Sequence, residues 1–265
     1  MKLLDNKVSV IIPTLNEESG IRNTISSIPQ TSIRNLGYDL EIIVIDGNST
    51  DCTRQIAKEM GARVILQDGK GYGSAFKTGF KAASGDLIVT LDADNTYPAE
   101  IIPECLSQME KKDLDFISVN RFAKLDKNSM SLIRKVGNKV LSVGVQLLYS
   151  FKIQDSQSGM HIMRRSFTEK ITLRADGFQV SEELKIIAFK HFKSLEVDGR
   201  YYPRIGKSKL NAFNHGFSNL KYLFVFRKLQ RLAVAVPLIP ASIEKTIPPI
   251  AGKTIAPSVD KTLTY

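Results

Sequence analysis

The segment VSVIIPTLNEE, residues 8–18, opens with a continuous run of apolar, mostly β-branched residues and turns polar after Pro13. The polar part continues into a stretch with helical spacing, in which Ile21, Ile25 and Ile28 share one face. Strands that are buried on both faces have continuous apolar sequences, so this segment predicts a buried strand followed by a helix.

The same strand-then-helix unit recurs three times along the chain. The repeats are EIIVI (41–45) before a helix capped near Ser49 or Thr50, residues 63–66 before a glycine-rich turn and a helix from about Tyr72 to Ala83, and DLIVTL (86–91) before a helix opening at Pro98. Alternating strands and helices predict the α/β class, with a mainly parallel central sheet flanked by helices.

Composition narrows the class of protein. The chain has 265 residues, 43% hydrophobic and 24% charged, which allows one large domain or two small ones and excludes a collagen, a disordered chain and a disulfide mini-protein. With 37 Lys+Arg against 27 Asp+Glu, the net charge is +10. That charge suits nucleic acid, a phosphorylated substrate or a lipid surface, and does not choose among them.

Features of the chain favour a cytoplasmic protein. Cys52 and Cys105 form no disulfide framework, and the N-terminus lacks the apolar core of a signal peptide. The longest apolar run, from Leu232, is broken by Pro237 and Pro240 and is too short to cross a bilayer. We therefore expect a peripheral protein on the cytoplasmic face of a membrane, with no transmembrane helix.

Two amphipathic segments are candidate membrane-interface helices, at 133–151 and 217–236. The first has an apolar stripe formed by Ile133, Val136, Val140, Leu147 and Phe151. The second lies within an acid-free stretch, 199–243, in which aromatic and basic residues alternate. Ordinary packing inside the domain is the alternative for both segments.

The chain end differs in composition from the rest. Five of the ten prolines fall in the last 29 residues, among Thr, Ser, Ala and Lys. We expect a catalytic domain at 1–236 and a flexible Pro-rich tail at 237–265.

Polar residues follow the predicted strands where each strand ends: Asn16 and Glu17 after the first, Asp46 after the second, Asp92 and Asp94 after the fourth. Ligands of such sheets bind outside the carboxyl ends of the strands. Helix caps and turns are the alternative for any single residue, but several together at one edge favour a site.

Asp92-Ala93-Asp94 places two carboxylates two residues apart where a buried strand enters a loop. Mg²⁺ and Mn²⁺ prefer carboxylate oxygen and are commonly shared with substrate phosphates. The D-x-D pattern therefore predicts a site for Mg²⁺ or Mn²⁺ with a diphosphate.

Eight segments, in order along residues 8 to about 231, follow a known pattern: VSVIIPTLNEE (8–18), EIIVIDGNSTDCT (41–53), GKGYGSAFKTGFKAASGD (69–86), LDADNTYPAE (91–100), Asn120-Arg121, IRKVGNK (133–139), DSQSGMHIMRR (155–165) and YYPRIGKSKLN (201–211). Through these segments the chain resembles the family 2 glycosyltransferases, and within them the dolichyl-phosphate (polyprenyl-phosphate) hexose synthases.

The resemblance implies a GT-A type nucleotide-sugar-binding fold and a set of site residues. It implies Asp92 and Asp94 as catalytic and metal-binding acids, and Arg121 and Arg204 as further catalytic residues. The implied donor-binding residues are Pro13, Asn16, Glu17, Asp46, Gly71, Lys77 and Ala93.

The resemblance also implies an acceptor side that binds a lipid phosphate. Arg121, Arg134 and Asn138 match that side, as do Arg204, Ser208 and Lys209 of a segment similar to R-x-G-x-S-K-L. Guanidinium groups pair with phosphate bidentately, which suits this role. Asp155, Ser158 and Gly159 resemble a D-x-x-S-G motif, either structural or catalytic.

The implied reaction is the inverting transfer of a hexose, with mannose favoured, from GDP-mannose or UDP-glucose to dolichyl or polyprenyl phosphate. The chain departs from the family pattern at Gly47, Cys52 and Thr96. Mannosyl-transferring relatives often carry Gln where this chain has Thr96, so the sequence leaves the donor and the third metal ligand open.

Other interpretations explain the residues less well. GKGYGSA resembles a dinucleotide-binding turn, but it follows the third strand and lacks the expected acid about 20 residues later. A nucleic-acid-binding module would explain the charge but not the acidic sheet edge, and a non-catalytic relative would not need both acids. The main rival is a family 2 transferase that acts on a sugar hydroxyl.

Overall fold

The computed structural model describes residues 6–206 and 212–235. The main compact unit ends at Arg227. The second unit begins at Lys228, and its described part, residues 228–235, is helical. Lys209, Ser208 and the predicted tail at 237–265 lie outside the described residues. The domain boundary at 236/237 therefore stays a prediction.

A seven-stranded sheet with the order β3-β2-β1-β4-β6-β5-β7 organises the main unit. All neighbouring strands pair in parallel except β6, which is antiparallel to both β4 and β5. The strands are β1 (Lys7–Thr14), β2 (Asp39–Asp46), β3 (Arg63–Leu66), β4 (Leu87–Thr90), β5 (Phe116–Leu125), β6 (His161–Arg164) and β7 (Ser194–Tyr201).

Helices cover both faces of this sheet. They are α1 (Ile21–Ser27), α2 (Gln30–Asn35), α3 (Thr53–Glu59), α4 (Tyr72–Ala82), α5 (Ile102–Lys111), α6 (Leu132–Tyr149), α7 (Arg165–Lys170), α8 (Val180–His191) and α9 (Ala212–Ala235), with a 3₁₀ turn at Ala99–Ile101. The alternating side chains of β1 enter different core clusters: Val10 and Ile12 pack in one, and Ile11 in the other. The α/β prediction with a mainly parallel sheet is confirmed.

The helix expected near Ser49 or Thr50 begins at Thr53 instead. The earlier residues bind the loop after β1: Ser49 Oγ accepts the Asn16 N–H at 2.8 Å, and the Thr50 N–H donates to Asn16 Oδ1 at 2.7 Å. A cap-like sequence therefore joins two strand ends rather than starting a helix.

The first candidate interface helix is shorter than its predicted range, 133–151. It ends at Tyr149, because Ser150 adopts the left-handed conformation with φ of +60°. Phe151 turns inward and stacks on Phe189, with ring centroids 5.5 Å apart. Phe151 is therefore not part of the exposed stripe.

The aromatic residues of α9 divide between two environments. Phe217 and Phe224 are exposed, whereas Phe226 is buried against α6 and stacks on Tyr222 with centroids 5.7 Å apart. Among the described helices, none combines the length and apolar character that crossing a bilayer requires.

Candidate active site

The predicted site residues follow strands whose carboxyl ends lie side by side. β1 pairs in parallel with β2 and with β4, so Thr14 lies opposite Asp46 and Ile11 opposite Thr90. Asp92 lies two residues beyond the end of β4 at Thr90. The first, second and fourth strands therefore deliver their polar ends to one edge of the sheet.

The two acids of the D-x-D motif are held by different partners. The buried Asp94 accepts hydrogen bonds on Oδ1 from Thr96 Oγ1 at 2.7 Å and on Oδ2 from Arg204 Nη1 at 2.6 Å. Asp92 Oδ1 accepts a hydrogen bond from the Tyr72 hydroxyl at 2.5 Å. Both carboxylates are thus fixed in orientation.

Burial and a neighbouring charge alter the ionisation of Asp92. Burial, followed by the Asp94 carboxylate, raises the pKa of Asp92 to about 7, while the Tyr72 hydrogen bond and the charges of Arg121 and Arg204 act in the opposite direction. A cation beside both acids would favour their charged forms.

Arg204 joins the acidic motif to the loop after β1. Its Nη1 donates to Asp94, its Nη2 donates to Glu17 Oε1 at 2.7 Å, and the next residue's N–H, from Ile205, donates to the Asp94 carbonyl at 3.0 Å. Among the described residues, the buried Arg204 Nε finds no hydrogen-bond partner. That nitrogen suits an oxygen of an anionic ligand.

Five predicted donor residues collect at this edge. Pro13 lies at the end of β1, the fully buried Asp46 ends β2, and Ala93 is buried between the two acids. Asn16 and Glu17 occupy the loop after β1, where Asn16 adopts a positive φ of 51°. The structure therefore gathers these residues with the acids.

Gly71 and Lys77, the other two predicted donor residues, contact Asp176 and not the D-x-D acids. The Lys77 ammonium pairs with the Asp176 carboxylate. Lys77 lines a cavity of about 610 Å³ formed by α4 and residues 168–176, and not by the two acids. The structure thus does not bring the Lys77 ammonium to the D-x-D motif.

Arg121, predicted on both the catalytic and acceptor sides, is buried in an ion pair. Its Nε and Nη2 donate to the two carboxylate oxygens of Asp155 at 2.6 and 2.8 Å, and its guanidinium lies 5.4 Å from the Tyr201 ring centroid. Burial opposes ionisation of Asp155, but Arg121 outweighs it and lowers the Asp155 pKa. Among the described residues, Arg121 Nη1 makes no hydrogen bond.

The remaining acceptor candidates lie on α6. The Ser142 hydroxyl of this helix accepts the Ser156 N–H at 2.9 Å, beside the Arg121–Asp155 pair. Asn138 lies one turn earlier and Arg134 a further turn earlier. Arg134 therefore lies about 12 Å along the helix from the Ser142 contact, and Asn138 about 6 Å from it.

Comparison with known proteins identifies the family. Residues 9–172, more than half of the chain, match the glycosyl transferase family 2 domain. The chain belongs to glycosyltransferase family 2. It is a glycosyltransferase of the GT-A fold, as the sequence predicted.

Relatives of this family 2 enzyme include several archaeal proteins. The low-salt glycan biosynthesis hexosyltransferase Agl6 of Haloferax volcanii is 33% identical, with 82% of this chain and 53% of that protein covered. A dolichyl-phosphate hexose transferase of the same organism is 30% identical, with 79% and 89% covered. The dolichol-phosphate mannosyltransferase of Pyrococcus furiosus is 34% identical, with 78% and 60% covered. The chain thus spans about half the length of Agl6.

A solved structure supports the fold. Glucosyl-3-phosphoglycerate synthase from Mycobacterium tuberculosis, in complex with Mn²⁺, UDP-glucose and phosphoglyceric acid, superposes with a TM-score of 0.68. The alignment covers 84% of this chain and 79% of that chain at 21% identity.

The residues of the family 2 site fit a divalent cation that arrives with its substrate. In the described part of the chain, no three His, Cys, Asp or Glu side chains form a self-contained metal centre. Mg²⁺ usually binds through one or two carboxylates plus substrate phosphates and waters, and Asp92 and Asp94 supply two such carboxylates. The donor set therefore suits a shared metal–diphosphate ion.

Sequence reasoning missed several residues of this glycosyltransferase. Lys185 of α8 is fully buried, and its ammonium donates to the carbonyls of Asp155 at 3.1 Å and Ser158 at 2.6 Å. The Tyr72 contact with Asp92 was also missed. Lys185 lies in no motif, and the GKGYGSA motif around Tyr72 does not indicate its partner, because each residue acts through a contact between distant segments.

Proposed function

We propose that this glycosyltransferase performs a metal-dependent, inverting transfer of a hexose, with mannose favoured, from a nucleotide sugar to dolichyl or polyprenyl phosphate. The observation that carries the proposal is the convergence of Asp92, Asp94, Arg204 and Arg121 at one sheet edge. The similarity to a dolichyl-phosphate hexose transferase, of which 89% is covered, supports the choice of acceptor.

The donor binds, in this proposal, across the ends of β1, β2 and β4. Asp46, Asn16 and Glu17 lie where the nucleoside would contact the chain, and Asp92 and Asp94 lie where the diphosphate would reach it. Mg²⁺ or Mn²⁺ held by these two acids would stabilise charge on the departing diphosphate.

Arg204 has a position that suits the leaving group. It bridges Asp94 and Glu17, and its Nε points to no protein acceptor among the described residues. A guanidinium in such a place stabilises negative charge on phosphate oxygens as the bond to the sugar breaks. Arg204 would therefore act directly on the departing nucleoside diphosphate.

The acceptor oxygen attacks from the opposite face of the sugar. A bond forms between a lipid-phosphate oxygen and the anomeric carbon, while the bond from that carbon to the β-phosphate oxygen breaks, which inverts the carbon. The second pKa of a phosphate monoester is about 6, so the attacking group is already largely a dianion at neutral pH and no proton needs removal. Arg121 Nη1 and Arg134 are the proposed phosphate contacts.

The location of the acceptor requires a membrane surface, and α6 offers a fitting face. Six exposed apolar side chains fall within about 100° of its circumference: Leu132, Ile133, Val136, Val140, Val143 and Leu147. Lys135 and Lys139 flank this α6 stripe, so apolar insertion and attraction to anionic lipid act together. We propose that the enzyme lies peripherally on the cytoplasmic face, with α6 at the interface.

The competing function is transfer to a sugar hydroxyl. A hydroxyl acceptor needs a general base, whereas a phosphate dianion does not. UDP-glucose is the competing donor, and it is the donor named for the Mycobacterium structure, at an identity that shows the fold alone.

One assay tests the proposal and its rivals together. Purified protein with Mg²⁺ or Mn²⁺ is incubated with labelled GDP-mannose or UDP-glucose and either polyprenyl phosphate or a soluble oligosaccharide, followed by extraction into organic solvent. We expect labelled lipid only with the phosphate acceptor and only when the divalent cation is present. Label in a water-soluble glycan, or transfer that survives EDTA, would contradict the proposal.

A further inference from the structure

Tyr72 begins α4 within the segment GKGYGSA and is held from both sides by the main chain. Gly71 has a φ of +97°, and a Cβ added there would collide with the Asp176 carbonyl. A Cβ added at Gly73 would collide with the Ala175 carbonyl. The backbone around Tyr72 is therefore pressed against residues 175–176 and has little freedom.

The Tyr72 ring is packed as firmly as its backbone. It stacks on Phe178, with centroids 5.0 Å apart and planes inclined by 18°, and lies 4.7 Å from the Phe76 ring. Stacked aromatic pairs restrict ring movement and contribute beyond their buried area. The hydroxyl of Tyr72 is thus delivered to a defined point.

That point is one oxygen of the first D-x-D acid. The Tyr72 hydroxyl donates to Asp92 Oδ1 at 2.5 Å, a short charge-assisted bond. Among the described residues, Asp92 Oδ2 accepts no hydrogen bond. One oxygen of the carboxylate is therefore occupied and the other is left for a ligand.

Gly159 supplies the space for this contact. A Cβ added at Gly159 would lie 2.5 Å from the Tyr72 hydroxyl and 3.3 Å from Asp92 Oδ1. The loop that carries Asp155 for Arg121 thus also closes against the Tyr72–Asp92 bond. Three segments, α4, the loop after β4 and residues 155–159, meet at this hydrogen bond.

We infer that Tyr72 is a positioning residue for the metal site: its hydroxyl binds Asp92 Oδ1 and so directs Asp92 Oδ2 toward the divalent cation. The inference rests on the proposed function, because it takes Asp92 and Asp94 as the metal ligands. Hydrogen-bonded partners of ligating carboxylates typically alter metal affinity 10- to 100-fold when removed.

The test measures Mn²⁺ binding rather than turnover. The free Mn²⁺ signal in electron paramagnetic resonance gives the dissociation constant in the presence of UDP or GDP, for the full chain and for Tyr72→Phe. We expect Tyr72→Phe to bind Mn²⁺ about 10- to 100-fold more weakly. Tyr38→Phe is the matched control, since it removes a phenol hydroxyl before β2, at the opposite edge of the sheet, and should leave Mn²⁺ affinity unchanged.

Asp94→Asn separates the inference from the proposed function. If Asp94→Asn loses Mn²⁺ while Tyr72→Phe binds it as the unaltered chain does, the positioning role is wrong and the metal site stands. If the unaltered chain binds no Mn²⁺ with either nucleotide, both are wrong.

A double-mutant cycle with Gly159 provides a second measurement, in which thermal melting checks that each variant folds. Gly159→Ala should weaken Mn²⁺ binding because its methyl group displaces the Tyr72 hydroxyl and Asp92. In the Tyr72→Phe background the nearest colliding atom is gone, so Gly159→Ala should weaken binding by a smaller factor. Equal factors in the two backgrounds would overturn the inference.

Discussion

At the scale of single residues, two arginine side chains pair with three acids of this site. Asp94 and Glu17 share Arg204, and Asp155 pairs with Arg121, so opposite charges face each other at both arginines. Removing one partner of a buried ion pair is costly, because it leaves the other charge uncompensated. Substitutions here need a stability measurement beside the activity assay.

Asp94→Asn should nearly abolish transfer while the fold persists. The amide keeps an oxygen for the Thr96 hydroxyl but loses the negative charge that faces the ion and Arg204. Steady-state transfer at saturating Mn²⁺, together with thermal melting, checks this. Asp39→Asn, at the start of β2, is the matched control, and turnover near that of the control would contradict the assignment of Asp94.

The two acceptor arginines should behave differently. Arg134→Ala should lower kcat/KM for lipid phosphate without a change in donor affinity. The fall should correspond to about 2 kcal/mol of lost transition-state stabilisation, because a charge-assisted pair is removed. Arg121→Ala should do the same and also destabilise the fold by about 3–5 kcal/mol, because Asp155 is left buried without its partner.

Transfer kinetics, calorimetry with the nucleotide and urea denaturation separate these effects. The double variant Arg121→Ala/Asp155→Ala is the control for stability, since it removes both charges together. An equal loss of donor affinity in Arg134→Ala would assign that residue to the nucleotide instead.

At the scale of elements, α8 buries three charged side chains, Glu182, Glu183 and Lys185, where most helices would bury apolar ones. Glu182 and Lys185 are both fully buried, and Lys185 donates to the carbonyls of the 155–159 loop. Burial raises the pKa of Glu182 to about 8 and lowers that of Lys185 to about 7. Burial of these two side chains in α8 therefore costs free energy, because it disfavours their charged forms.

Glu182→Gln should change how stability depends on pH. The Glu182 pKa rises from 4.5 to about 8 on folding. Between those values the folded chain keeps a proton that the unfolded chain releases, so this group lowers the free energy of unfolding as the pH rises. Lys185 contributes with the opposite sign only above about pH 7, where its lowered pKa leaves the folded form neutral.

Urea denaturation at pH 5, 6 and 7 tests this window. The stability of Glu182→Gln relative to the unaltered chain should increase with pH, by at most about 1.4 kcal/mol per pH unit. Glu169→Gln, an exposed position on α7, is the control. A difference between Glu182→Gln and the unaltered chain that stays constant with pH would contradict the burial argument.

At the scale of the whole molecule, the net charge of +10 and the α6 stripe favour the same partner. The inner face of α6 packs through Leu141, Val145 and Tyr149, which leaves its outer apolar face to solvent. A lipid surface would cover that outer face.

Sedimentation with anionic vesicles measures this association. At low salt the unaltered chain should bind, and Val136→Glu/Val140→Glu should reduce binding strongly because both charges enter the α6 stripe. Leu36→Glu, another exposed apolar position, is the control and should bind normally. Vesicle binding that is equal in all three proteins would remove α6 from the interface.

Much of the fold and part of the site followed from the sequence alone. Apolar runs ending in Asp46 and Asp92 predicted a parallel sheet with acids at one edge, because strand burial and strand ends are local properties of sequence. Two acids at D-x-D spacing after a buried strand predicted the metal–diphosphate site for the same reason.

Other features were decided only by tertiary structure. The inward turn of Phe151, the pairing of Lys77 with Asp176, and the Tyr72 bond to Asp92 each join segments that are distant in the chain. Such contacts depend on which faces meet after the sheet has formed, and no local pattern encodes them. The local sequence thus determined which side chains follow the strand ends, and packing determined which of them face one another at the site.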